Sequence, residues 1–183
     1  MSGLLLSADE ALAREVHGRT IAAVLVALFV SGGELHTVFT RRRDDMRRHP
    51  GEISFPGGRR EPEDPSLIET ALREAHEEIG LAPDVVRIAG ALAPTPTMVT
   101  GYAVYPFVGL ISPGQHWTPS VDEVAEVLEL SLPALRAGHA RRRLIRRGVP
   151  IRTDVYEVEG ALIWGATARM VGELLTRLAP LLG

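Results

Sequence analysis

Glu74, Glu77 and Glu78 fall in the stretch "REAHEEIG", residues 73–80, crowded into the last turns before a glycine. Helical spacing sets the three carboxylates within about 100° of one another on the wheel. Opposite them runs a core-facing stripe of Ile68, Leu72, Ala75 and Ile79. Two local rules are broken together. The macrodipole is negative at this end of a helix and favours Lys or Arg, and like charges at i,i+3 and i,i+4 repel by roughly 0.2–0.5 kcal/mol each. Such a turn is either a solvated acidic face or a site prepared for a cation. Upstream, Pro56-Gly57-Gly58 ends a short strand with a turn that permits close backbone approach, so a bare backbone carbonyl can be delivered to the same place. Carboxylates with a carbonyl are hard oxygen ligands, suited to Mg²⁺ or Mn²⁺ rather than zinc. Arg73, at i,i+4 from both Glu69 and Glu77, is placed to steady Glu77 rather than to neutralise all three acids.

The elements that must hold these residues are legible on either side. The spacing predicts a helix over Pro65 to Ile79, with Asp64 and Pro65 as N-cap and N1, a capping box from Ser66 and Glu69 one turn on, and a stop at Gly80 reinforced by Pro83. "IAAVLVALFV", "SGGE" and "LHTVFTRR" read as strand, tight turn and strand. Further strands are expected in "ISF", "VVRIAGALAP", "YAVYPFVGLI" and "RTDVYEVEGALIW", and a strand turning into a helix in "SVDEVAEVLELSLPALRAG". The basic run "RRRLIRRG", residues 141–148, is expected on an exposed helix end or loop, from which it would steer an anion inward. "ATARMVGELLTRLAPLL" is an amphipathic helix that would either pack on the sheet or serve a homodimer. Strands and helices interleave in one expected α/β domain, residues 1–183, with a short helical segment at about residues 1–18 and a first strand apolar enough for burial on both faces.

Composition narrows the partners. A chain of 183 residues, 45% hydrophobic and 23% charged, buries a sizeable core. A net charge of -3 recommends neither nucleic acid nor an anionic membrane, and Asp44 and Asp45 interrupt the arginines of residues 41–48. The absence of cysteine excludes disulfides and thiolate chemistry and fits a reducing compartment. Residues 21–30 span half of the roughly 20 needed to cross a bilayer, so the expectation is a cytoplasmic protein.

The stretch "GGRREPEDPSLIETALREAHEEIGL" resembles the Nudix box: Gly, five residues, Glu, seven residues, then Arg-Glu-apolar-any-Glu-Glu-any-Gly-apolar. Arg73, Glu74, Ala75, Glu77, Glu78, Gly80 and Leu81 fit its second half. The first half departs: counted from Gly58, the acidic position falls on Asp64, with eight residues rather than seven between it and Arg73, as an insertion with Asp in place of Glu would give. Upstream, Thr40, Arg42, Met46, His49, Gly51, Phe55 and Pro56 resemble the extended signature of the coenzyme A pyrophosphatase branch of Nudix hydrolases.

The resemblance implies an α/β/α sandwich around a mixed β-sheet and Mg²⁺- or Mn²⁺-dependent hydrolysis of a small-molecule diphosphate. Coenzyme A or a derivative is the leading substrate, giving 3′,5′-ADP and 4′-phosphopantetheine or its acyl form. Glu74, Glu77 and Glu78 are then metal ligands, with Glu74 alternatively the base, and the Gly57 carbonyl is a further ligand. Glu123 completes the site as ligand or base, or is a solvated loop residue. Arg42 would meet substrate phosphate. His49 would touch substrate or make a structural hydrogen bond, and Arg73, Gly58 and Asp64 would support the site. ADP-ribose, dinucleotides and nucleoside triphosphates are the alternative substrates. A silent binding module or RNA-binding regulator is the alternative from another class, against which three clustered acids argue.

Overall fold

A twelve-residue strand buried along most of its length needs an apolar layer on each face, and the chain supplies both for β1 (Thr20–Ser31). The computed structural model describes residues 3–46, 51–97, 101–146 and 149–182. A short helix, α1 (Ala8–Leu12), precedes β1. After it come β2 (Glu34–Arg42), β3 (Ile53–Ser54), β4 (Gly57–Arg59) and the helix α2 (Leu67–Ile79). Strands β5 (Arg87–Ala91), β6 (Thr95–Pro96), β7 (Tyr102–Leu110) and β8 (Val124–Ser131) follow. The chain then forms α3 (Leu132–Ala137), β9 (His139–Arg146), β10 (Val149–Val158), β11 (Ala161–Trp164) and α4 (Gly165–Leu178).

The main sheet is mixed. β1 runs parallel to β7, Thr20 opposite Tyr102 through Leu28 opposite Leu110. Its other edge is shared: β4 takes Ala22 to Val24 and β2 takes Leu28 to Ser31, both antiparallel. Between them the Leu25 N–H donates to the Pro56 carbonyl at 2.9 Å. β8 and β3 extend the sheet beyond β2, and β5 and β6 lie on β7. A second sheet has the order β11-β10-β9. The two-residue period of β1 sorts its side chains. Ala23, Leu25, Ala27 and Phe29 meet Leu67, Ala71, Leu72, Ala75 and Ile79 of α2. Val24, Val26 and Leu28 meet α3, α4 and the small sheet through Leu132, Leu135, Met170, Val171, Leu174 and Ile163. Each large apolar side chain among them, the alanines aside, contributes roughly 1.5–3 kcal/mol by its burial. This is the expected α/β/α arrangement, and α4 uses its apolar face on the sheet. Among the described residues no helix is long and apolar enough to cross a membrane.

Gly32 and Gly33, at φ 58° and 84°, make the β1–β2 turn as expected, since two positive φ values give a hairpin whose twist matches its strands. Three local expectations are corrected. Helix α2 starts at Leu67, capped by Ser66, whose hydroxyl accepts from the Glu69 N–H at 3.2 Å; the Asp64 carboxylate is drawn instead to Arg73 and Thr70. Gly57 and Gly58 form a strand rather than a turn, pressed so closely on β1 that a Cβ on Gly57 would lie 2.4 Å from the Ala23 carbonyl oxygen. The described part of the basic run, residues 141–146, is neither helix end nor loop. It lies in strand β9, the edge of the small sheet, where a row of arginines discourages pairing with another chain.

Candidate active site

The acidic end of α2 is closed by Gly80 in the left-handed region, φ 73°, whose N–H meets the Ala75 and His76 carbonyls. A helix end leaves its last carbonyls without partners, and the loop before β8 supplies two of them. The Thr118 N–H donates to the Ile79 carbonyl at 3.0 Å and the Ser120 N–H to the Glu78 carbonyl at 2.9 Å. The same loop then turns on Ser120, whose carbonyl accepts from the Glu123 and Val124 N–H groups at 3.2 and 2.9 Å. Capping the helix therefore also delivers Glu123, which Arg42 at the end of β2 meets at 3.5 Å.

Packing separates three acids that the helical wheel put together. Glu78 is 6% exposed, and its Oε2 accepts from the Gly57 N–H at 3.2 Å. Burial pushes its carboxyl up to about 8; the Gly57 N–H and Arg42 oppose that rise, while Glu74 and Glu123 add to it. Glu74, its side chain 17% exposed, is also raised by burial, against the pull of Arg73. Glu77, at 57%, faces solvent. The difference follows from β4: Gly58 offers no side chain, and a Cβ there would lie 2.4–2.5 Å from the carboxyl atoms of Glu74. Gly58→Ala is accordingly expected to displace Glu74 and lower kcat at least tenfold (an order of magnitude, about 1.4 kcal/mol of barrier). A circular dichroism spectrum like the parent's would tie the loss to the site.

Arg73 organises the outer side of this helix. Its Nε and Nη2 donate to Asp64 Oδ1 and Oδ2 at 2.9 and 3.1 Å, its Nη2 also to the Arg59 carbonyl at 3.0 Å, and its Nη1 meets Glu74 and Glu77 at 3.0 and 3.1 Å. Asp64, 6% exposed, also accepts from the Glu61 N–H and the Thr70 hydroxyl, both at 2.9 Å. The Arg73 guanidinium, ahead of these two donors, holds the Asp64 carboxyl well below the usual carboxylate range despite its burial.

The donor set suits a hard divalent cation. Glu74 and Glu123 both act on the ionisation of the buried Glu78, and carboxylates so placed are relieved by a positive charge among them. Among the described residues no three His, Asp or Glu side chains already stand at ligand spacing, because Arg73 holds Glu74 and Glu77 and the Gly57 N–H holds Glu78. Arg42 contributes a buried Nε with no hydrogen-bond partner. Glu74, Glu78, Gly57, Gly58, Arg42 and Glu123 are thus brought together, Glu77 stands at the rim, and His49 lies outside the described residues. Sequence reading missed the positioning parts: Thr118 and Ser120, which look like ordinary turn residues, and Thr70, whose partner Asp64 lies in the preceding loop.

A family model described as NUDIX domain matches residues 19–147. The chain is 42% identical over 165 residues to an uncharacterized Nudix hydrolase NudL of Enterobacter sp. (strain 638), covering 89% of this chain and 85% of that protein. A second protein of that description, from Citrobacter koseri, is 39% identical over 175 residues, with 92% and 90% covered. Two solved structures share the fold. A MutT/nudix family protein from Enterococcus faecalis has a TM-score of 0.59 at 14% identity, over 91% of this chain and 64% of that one. The NUDIX domain of Shewanella oneidensis NrtR, complexed with ADP ribose, has 0.53 at 18% identity, over 72% and 88%.

Proposed function

The chain belongs to the Nudix family of hydrolases, and on that premise we propose that its substrate is coenzyme A or a derivative, cleaved at the diphosphate. The observation that carries this reading is the placement of Arg42. That arginine belongs to the upstream signature, and it reaches the acid cluster through Glu123 and acts on Glu78. Its buried Nε lacks a partner, and a phosphate oxygen is the acceptor that guanidinium geometry fits best.

Family members generally use Mg²⁺ or Mn²⁺; bound here by Glu74, Glu77, Glu78 and the Gly57 carbonyl, such an ion would neutralise the diphosphate and orient water. Arg42 holds a phosphoryl oxygen by charge-assisted hydrogen bonds. Glu123 or Glu74 accepts the proton of the attacking water, both being near the cluster without sharing the deep burial of Glu78. Water adds across one P–O bond, and the products are 3′,5′-ADP and 4′-phosphopantetheine, or its acyl form. Asp64 and Arg73 keep Glu74 and Glu77 aimed by holding the outer side of the helix.

Mass spectrometry of products tests the reading. Purified protein is incubated with coenzyme A, NADH and ADP-ribose, each with Mg²⁺ or Mn²⁺ beside a chelator control. Metal-dependent release of 3′,5′-ADP, faster than cleavage of the other two, is expected. Preferential cleavage of ADP-ribose or NADH would keep the acid helix and discard coenzyme A.

A further inference from the structure

Arg59 follows Gly58 by one residue, but its side chain leaves the acid cluster. Its partner across β1 is Ala22, which belongs to the core layer on the α4 side. Tyr102, opposite Thr20, packs against that same layer. Arg59 Nε donates to the Tyr102 hydroxyl at 2.7 Å, and its guanidinium carbon lies 5.4 Å from the ring centroid. The chain of contacts continues through Thr97, whose N–H donates to the Tyr102 carbonyl at 2.8 Å and whose hydroxyl accepts from the Tyr102 N–H at 2.8 Å. The carbonyl of the preceding Pro96 accepts from Arg169 of α4. Two arginines are thereby tied to one tyrosine at the end of the sheet that carries Gly57 and Gly58.

Neither arginine has an acidic partner among the described residues. Arg59 gives one N–H to a phenol, and Arg169 gives one to a backbone carbonyl. A guanidinium carries five N–H donors in a fork matched to phosphate, and the faces of an aromatic ring take both cations and nucleobases. We infer that Arg59, Tyr102 and Arg169 form a second anion subsite, which takes a phosphate monoester on a nucleoside, apart from the diphosphate that is cleaved. The inference rests on the coenzyme A reading, whose substrate carries such a monoester at its ribose. It deepens that reading by giving the monoester its own residues.

Calorimetric titration with 3′,5′-ADP and with 5′-AMP, which differ by that one phosphate, tests it without turnover. The parent protein should bind 3′,5′-ADP about tenfold to a hundredfold more tightly, as charge-assisted hydrogen bonds of this kind give. Arg59→Ala and Arg169→Ala should each reduce the preference to within about threefold, and Arg59→Lys should restore part of it. Equal affinity of the parent for the two nucleotides, binding of neither, or an alanine variant that weakens both alike would overturn the subsite. The ratio of kcat/KM for coenzyme A to that for dephospho-coenzyme A should fall in the same variants. Failure of the parent to cleave coenzyme A would reject the substrate reading separately, while the nucleotide titrations still decide the fate of the subsite.

Discussion

Glu78→Gln is expected to lower turnover about a thousandfold or more, the scale of removing a group that stabilises developing charge, and yet to raise the unfolding temperature in the presence of a chelator. Both effects come from the same burial. The amide keeps the volume of the side chain and an oxygen for the Gly57 N–H, but it carries no charge. Glu78 is raised to about 8 in the folded protein, whereas an unfolded glutamate titrates near 4.3. Between those values the folded state holds a proton that the unfolded state has released, so stability falls as pH rises through this window. Glutamine removes the penalty. Calorimetry with chelator should therefore show the variant's advantage growing from pH 5 to pH 8. Added Mg²⁺ or Mn²⁺ should raise the midpoint of the parent and leave the variant nearly unmoved, since ligand binding to the folded state alone is what stabilises it. Retained hydrolysis by the variant would remove Glu78 from the chemistry.

Asp64→Asn should cost about 3–5 kcal/mol of stability, the range for removing one partner of a buried ion pair, and lower kcat roughly tenfold by releasing Arg73, an order-of-magnitude expectation. Asparagine leaves the Arg73 guanidinium without its bidentate acceptor while still accepting from the Glu61 N–H or the Thr70 hydroxyl. The pH dependence has the opposite sign to that of Glu78. The Asp64 carboxyl is held below its unfolded value of about 3.9, so its contribution is complete above that pH and is lost as pH falls through the folded value. Urea unfolding should separate parent and variant widely at pH 7 and by measurably less at pH 3, with the remainder of the difference lost only at still lower pH. Equal separation at both would mean that the asparagine harms packing rather than the ion pair.

What the sequence disclosed depended on whether a residue's role is local. Gly32, Gly33 and Gly80 act through their own backbone angles, and the alternation of β1 needs only its neighbours to be read. Residues whose partners are distant escaped. Asp64 beside Pro65 looks like a helix cap until Arg73, nine positions on, claims it and leaves the cap to Ser66. A helical wheel treats Glu74, Glu77 and Glu78 alike, because it knows the axis of α2 and not the glycine strand beneath it. The arginines of β9 suggested an exposed helix end or loop because their charge hides the strand period, and edge position is a property of the assembled sheet. Arg59 and Arg169 gave no signal, lying far apart in sequence and joined only through Tyr102, Thr97 and Pro96.

The parallel pairing of β1 with β7 has a consequence in time. During synthesis β1 and its hairpin partner β2 emerge well before Tyr102–Leu110 exists, so the most apolar strand of the molecule waits with one edge bare. Parallel pairing across so long a separation is slow to nucleate because loop closure precedes any contact that rewards it. An unpaired apolar edge is a template for another chain. The interval before β7 arrives is thus when the nascent chain is most exposed to misassembly and most dependent on a chaperone, and a ribosome stalled before Tyr102 would release a product whose central strand has no completed sheet to enter.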